Sequence, residues 1–426
     1  MRVAVASRTV PPVSSYPLVR VAADSELLLP FLQAVRRVFG DHEPVDDAWY
    51  AARRELYATQ RLLAVLDGDV VAGTYRSWDL DLTVPGGGSV RADAISSVTV
   101  QPTHRRRGVL TSMITHDLRD AHERGVPVAV LIASEAPIYG RYGFGVATES
   151  VTWTVDVRAA AFRPEAAERA ARMRVDHVTD AELLDVAPGL YGRARGPGDI
   201  DRWDNMWRVS TGNRTGDPHN AKPGVAAVAR DAAGAVQGVL RLTLDQRWVE
   251  HTISAVAQVG LLDTATDDAH VALWSYLVNL DLVTTVRAED RSVDDPLPWL
   301  LRDRRAARQS GRADFLWTRV LDVPATLAGR RYETPGAVVL EVRDDHRWAD
   351  GRFALEVAAD GTAACLRTTA PADLELPVDV LGSVWLGGTD LRGAAAAGLV
   401  AGDRSAVDRA ATMFRTATAP WSSTWF

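Results

Sequence analysis

The chain has 426 residues, 47% hydrophobic and 24% charged, with a formal net charge of −7; that is too long for one ordinary core and too acidic overall to favour a nucleic-acid partner. A single cysteine, Cys365, rules out an internal disulfide or a cysteine zinc site, and the nine histidines show neither HxxxH nor HExxH spacing, so no metal is expected. The first twenty residues hold too short an apolar run for a signal peptide, and no stretch approaches the ~20 apolar residues of a membrane span, so a cytoplasmic protein with no membrane partner is expected.

In chain order, "ELLLPFLQAVRRVFG" has helical apolar spacing and ends at Gly40. "RLLAVLDGDVVAGTYRSW" reads as two strands joined at Asp67-Gly68, and "LDLTVPGGGSVRADAISSVTV" as a second hairpin turning at Pro85 to Gly88. Three arginines, Arg105 to Arg107, then precede Gly108 and a helix running to about Arg124, followed by the buried strand "VAVLIA". The order predicts an α+β fold with mixed strand pairing. From about Val151 the pattern repeats: "AAVARDAAGAVQGVLRLTLD" is again a hairpin, and "ISAVAQVGLLDTATDDAHVALWSYLVNLDLVTTVRAE" is again strand, loop, helix, strand. Here the loop reads "DTATDD", which cannot hold a polyanion. From about Ala313 short strands and helices alternate, ending in "TAPWSSTWF". The span from "RGPGDIDRW" to "GDPHNAKPG" reads as loop-rich.

A glycine at a strand-to-helix turn lets backbone N–H groups face an anion at the positive end of the helix dipole. Flanking arginines grip phosphate oxygens in pairs. Arg105-x-x-Gly108 therefore reads as a pyrophosphate cradle; the competing reading is a solvated turn. It is neither a Walker loop nor a dinucleotide fingerprint.

The stretch from Ser96 to Gly145 resembles the GCN5-related N-acetyltransferase (GNAT) superfamily, whose acyl-CoA loop reads R/Q-x-x-G-x-G/A. Arg105 and Gly108 fall on that motif, and Leu110 departs from its small last residue. "VTVQPTHRRRGVL", "ASEAPIYGRYGFGVAT", the central copy without its loop and the terminal Phe together resemble the Eis (enhanced intracellular survival) family of N-acetyltransferases. The resemblance implies tandem GNAT folds, the second degenerate, and a third domain similar to sterol carrier proteins. The expected divisions are 1–150, 151–312 and 313–426.

The resemblance further implies acetyl-CoA as the acyl donor. Val98, Thr99 and Val100 would pair with the pantetheine arm through their backbone. Arg106, Arg107, Gly108, Val109, Leu110 and Thr111, with Arg105, would wrap the pyrophosphate, and Ser134 and Glu135 would lie near the thioester. A tyrosine hydroxyl suits protonation of the departing thiolate. Tyr139 and Tyr142 both qualify by spacing, and the family pattern favours Tyr139. The family's terminal carboxylate, here that of Phe426, serves as general base, although a free α-carboxyl titrates near 3.5; a plain aromatic plug is the competing reading of the tail. Asp41 and Trp49 fall where relatives line the amine site, while Asp46 and Asp47 also offer a helix cap. Expected acceptors are polycations, aminoglycosides or protein lysines, and the expected assembly is a homohexamer, a trimer of dimers. A lipid or acyl-CoA binding protein using the third domain, and a narrow-specificity GNAT, are the rival readings.

Overall fold

The computed structural model describes residues 13–41, 43–213, 223–249 and 252–426. The first domain opens with β1 (Leu18–Arg20), α1 (Leu28–Val38) and α2 (Asp47–Tyr57), continues through β2 (Arg61–Asp67), β3 (Val70–Thr83) and β4 (Ser89–Val100), and reaches α3 (Val109–Glu123) and β5 (Val128–Ile132). The hairpins form as their turns dictate: β2 and β3 pair antiparallel, as do β3 and β4, whereas β4 and β5 are parallel because α3 crosses between them. Asp46, rather than Asp47, caps α2, accepting the Trp49 amide at 2.7 Å.

The second copy repeats this plan. Strands Gly224–Arg230, Val236–Val249 and Thr252–Thr264 are antiparallel in turn, and helix Asp267–Val278 leads to the parallel strand Val283–Arg291. The acidic loop becomes the start of that helix, capped by Thr266, and Asp268 is ion-paired with Arg169 at 2.7 Å. The span expected to be loop-rich contains a helix, Asp204–Ser210; its "MWRV" core is too short to show a helical period, and the last part, 214–222, lies outside the described residues.

The two copies exchange a strand. Leu316–Val320, at the end of the second copy, lies in the first sheet between β5 and Gly145–Val146, while Glu149–Asp156 lies in the second sheet between Val283–Arg291 and Ala307–Asp314. Each sheet is thereby completed by its neighbour.

The third domain is a five-stranded sheet with helices Val378–Val384, Leu391–Ala396 and Arg404–Phe414. Its helix Val378–Val384 packs its apolar side chains into a core shared with the first sheet. The approach is close enough that a Cβ at Gly145 would meet the Asp379 carbonyl oxygen. Arg319, fully buried, donates from Nη2 to both carboxylate oxygens of Asp344 at 2.7 and 2.8 Å and from Nε to the Tyr142 carbonyl at 2.8 Å. Arg319 thus ties the exchanged strand, the first domain and the third together.

Candidate active site

Pairing between β4 and β5 stops at Ile95↔Leu131. Beyond it β4 bulges: Ser97 takes a left-handed φ of 51°, and its carbonyl accepts the Thr74 hydroxyl at 2.9 Å. From Ser96 onward the edge of β4 that faces β5 has no strand beside it among the described residues. An open edge of this kind offers N–H and C=O groups to an extended ligand arm. Thr99 is pinned by its hydroxyl against that of Thr74 at 2.6 Å, while Val98 and Val100 are half-buried against the α3 core.

The arginine loop follows. Arg105 to Arg107 are all exposed, Arg107 donating to the Tyr16 hydroxyl at 2.7 Å. Arg106 (φ 63°) and Gly108 (φ 76°) are left-handed, and Gly108 begins α3 with no side-chain cap. Left-handed residues turn successive amides toward one side, and the first turn of a helix has donors with no internal acceptor. Leu110 turns its bulk toward the core, so it does not block that end. These residues fit an acyl-CoA: an open strand edge for the arm, a helix start and three exposed arginines for the phosphates. Ser134 and Glu135 are exposed just beyond β5.

The turn Ala136–Tyr142 presents both tyrosines inward. Tyr142 has its hydroxyl committed to Thr111 at 3.0 Å. Tyr139 packs edge-on to Phe144 at 6.0 Å and shares a core with Tyr75 on the α3 face of the sheet. Burial first, then the Glu135 carboxylate, pushes its phenol up to about 12. Tyr139 therefore stays protonated across the neutral range, as a proton donor must.

On the opposite face of the sheet, β3 places Arg76 and Trp78. The tail comes to them. The Trp421 amide donates to the Pro197 carbonyl at 2.8 Å, against Gly198, whose φ of 97° and lack of Cβ leave room for it. Arg202 donates to Ser423, Thr424 and Asp263 at 2.6–2.7 Å, and Asp199 accepts the Ser423 amide at 3.3 Å; burial pushes the Asp199 carboxyl up to about 6. Phe426 ends edge-on to Trp78 at 5.7 Å. It lines a cavity of about 750 Å³ between the two copies, within the size range of small-molecule sites.

The tail also occupies what the second copy has in place of a cofactor cleft. There the parallel pair ends at Val259↔Ala288, and the gap beyond is bridged by Arg291, which donates to the Leu262 carbonyl at 2.9 Å. The Trp421 ring lies under that guanidinium at 4.8 Å and its indole N–H donates to the Asp290 carbonyl at 2.9 Å.

Asp41 and Trp49 do not line the cavity. Asp41 is paired with Arg36 at 2.7 Å, and the Trp49 ring lies between Arg36 and Arg53, at 5.0 and 5.1 Å. The residues that hold the tail, Arg202, Asp199 and Arg291, carried no legible signal in the sequence, and neither did Arg76, the buried-strand arginine in "GTYRSWDL". Among the described residues no helix is long and apolar enough to cross a membrane, and no group of three metal-ligating side chains gathers.

Comparison with known proteins agrees with this architecture. Residues 19–147 and 198–320 match models of the acetyltransferase (GNAT) domain, and residues 323–423 match the sterol carrier protein domain. An N-acetyltransferase of Streptomyces avermitilis is 40% identical over 96% of this chain and 98% of its own. The N-acetyltransferase Eis of Mycobacterium tuberculosis is 36% identical over 79% of this chain and 82% of its own. The crystal structure of Eis1 from Mycobacterium abscessus superposes with a TM-score of 0.82 at 32% identity, covering 96% of this chain and all of that one. The chain belongs to the Eis family and is an N-acetyltransferase of two GNAT domains followed by a sterol-carrier-like domain.

Proposed function

We propose that this enzyme moves the acetyl group of acetyl-CoA directly to a primary amine, with Tyr139 as general acid and the α-carboxylate of Phe426 as general base. Acetyl-CoA supplies the activated acyl thioester. The backbone of Val98 to Val100 holds its arm, residues Arg105 to Thr111 hold its phosphates, and Ser134 and Glu135 border the thioester. The amine nitrogen forms the new C–N bond as the C–S bond breaks. Phe426 takes the proton leaving nitrogen, and Tyr139 gives its proton to the sulfur. A phenol near 12 is a weaker acid than a free thiol, but the burial that lifts the phenol also lifts a thiol beside it.

The observation that carries this reading is the placement of the two groups. Tyr139 lies on one face of the sheet and Phe426 on the other, beside the strands that flank the open edge of β4. The expected divisions 1–150, 151–312 and 313–426 enter the proposal as a division of labour, chemistry, tail anchorage and tail delivery, with the exchanged strand Leu316–Val320 joining the last two. Polycationic acceptors, aminoglycosides and protein lysines, remain part of the proposal through the kinship with Eis, as do the homohexamer and the cytoplasmic location.

Thiol release from acetyl-CoA with a multi-amine aminoglycoside, comparing the full chain with one lacking only Phe426, tests the mechanism. Release that collapses on deletion supports the carboxylate as base. Release that survives it removes Phe426 from the chemistry.

A further inference from the structure

The face of the first sheet beneath α3 carries a run of buried polar groups that acetyl transfer as described leaves unused. Asp93 on β4 and Asp117 on α3 are 0% and 2% exposed. Asp117 accepts the Ser77 hydroxyl at 2.6 Å and lies 4.0 Å from Arg61. Asp93 pairs through Oδ1 with Arg61 and, at 3.1 Å, with Arg124. Both guanidiniums also reach Asp79, at 2.9 and 2.7 Å, and Arg124 holds Asp120 at 2.9 Å. At Asp79, which is paired with the exposed Arg91, the run meets solvent.

Three oxygens of this run are buried and have no hydrogen-bond partner among the described residues: Asp93 Oδ2, Asp117 Oδ2 and the hydroxyl of Tyr75. One unmet buried oxygen is costly, and three together call for a common cause. Two neighbouring buried carboxylates resist being charged at once, and a single proton between them satisfies an oxygen on each. Burial first, then the Asp117 charge, push the Asp93 carboxyl well above its ordinary range against the pull of Arg61 and Arg124. Burial pushes the Tyr75 phenol up as well, and the charges of Asp117, Asp93 and Tyr139 add to it.

Tyr75 sits at the inner end of the run. It is the residue at which the β3–β4 register shifts, two positions from Ser77, and it packs in the same core as Tyr139. From solvent inward the order is Asp79, Asp93, Asp117, Tyr75, Tyr139. A phenol that gives its proton to sulfur is left as phenolate. Tyr139 is only 7% exposed, so little water reaches it while CoA fills the open edge of β4.

We infer that Tyr75, Asp117 and Asp93 resupply the Tyr139 proton from inside the protein, the two carboxylates holding one exchangeable proton between them. This rests on Tyr139 being the general acid. Sulfur takes the Tyr139 proton as the C–S bond breaks. The Tyr75 hydroxyl then passes its proton to the Tyr139 phenolate, and the carboxyl pair passes its own to Tyr75. The pair, now doubly charged beside Arg61 and Arg124, regains a proton from water at the Asp79 end. The amine's proton leaves on the opposite face through Phe426, so each turnover takes up one proton on one face and releases one on the other. Tyr75, Asp117 and Asp93 touch neither substrate nor cofactor; they act through Tyr139.

The experiment follows thiol release in rapid mixing of the full-length enzyme with acetyl-CoA and a multi-amine aminoglycoside, for wild type, Tyr75→Phe, Asp117→Asn and Tyr139→Phe. Tyr75→Phe is expected to release the first thiol per site at the wild-type rate and then to slow by roughly tenfold or more, with KM for acetyl-CoA unchanged. Added imidazolium, a small proton donor, is expected to restore the later turnovers of Tyr75→Phe and to do nothing for Tyr139→Phe. Asp117→Asn is expected to show the same burst and to remove a protonated-carboxyl band that the wild-type infrared spectrum shows at neutral pH. Tyr75→Phe keeps the ring and its packing, so it carries the test if Asp117→Asn does not fold. A first turnover slowed as much as the later ones gives Tyr75 a packing role and overturns the inference. A steady-state rate unchanged in Tyr75→Phe, or a wild-type spectrum without the band, overturns it too. The acid reading fails differently, through an unimpaired first turnover in Tyr139→Phe, and the relay then falls with it.

Discussion

Two tyrosines three residues apart share one short turn, and their hydroxyls have different surroundings. Tyr142 is spent on Thr111, a hydrogen bond worth about 1 kcal/mol net. Tyr139, the proposed general acid, is held in the core with its proton locked on by burial. Tyr139→Phe is expected to lower kcat by roughly 10²–10⁴-fold with the Kd for acetyl-CoA retained, whereas Tyr142→Phe costs stability and little rate. Steady-state thiol release and calorimetry on the two variants separate them. Because the Tyr139 phenol sits near 12, no alkaline limb in the wild-type rate profile between pH 7 and 10 traces to it. At this scale the sequence was legible wherever a motif has fixed spacing, as in Arg105-x-x-Gly108 and Tyr139. It was opaque at Arg76, Arg202 and Asp199, because their partners lie far away in the chain and a lone arginine in a strand has no spacing to read.

Helices and strands were recognisable where turn chemistry marks them. Asp67-Gly68 and Gly40 each fall at the turn or helix end they announced, with left-handed Gly68 and Gly40. The degenerate loop was legible too, since "DTATDD" carries the wrong charge for a phosphate. The strand exchange was not, because nothing in "FLWTRV" says which sheet receives it. Nor was the course of the tail, whose docking depends on Gly198. A Cβ there would lie 2.8 Å from the Trp421 nitrogen and oxygen, on a residue with φ 97°. Gly198→Ala is expected to cost about 1–3 kcal/mol and to reduce kcat while the acetyl-CoA affinity stays put. Loss of acetyl-CoA binding instead, read by calorimetry, would mean that the change had spread to the first domain.

For the molecule as a whole, three modules are clamped by a buried pair. Both carboxylate oxygens of Asp344 accept from Arg319 Nη2 and also from the amides of His346 and Ala349, and these partners hold its carboxyl below the usual range despite burial. Its contribution to stability is therefore present above the ordinary carboxylate pKa and is lost as the pH falls through the depressed one. Asp344→Asn leaves Arg319 buried without its counter-charge, and a loss of about 3–5 kcal/mol is expected. Urea unfolding measures it, and an early transition belonging to the third domain alone is the expected form of the curve.

The exchanged strand has a consequence in time. A chain emerging from the ribosome presents β5 about 180 residues before Leu316–Val320 arrives to cover it, a wait of roughly ten to forty seconds at 5–20 residues per second. During that interval the Val128–Ile132 edge is an unclosed template that another nascent copy can fill with its own Leu316–Val320. Slow or interrupted synthesis should therefore yield intertwined pairs of chains, each completing the other's first sheet.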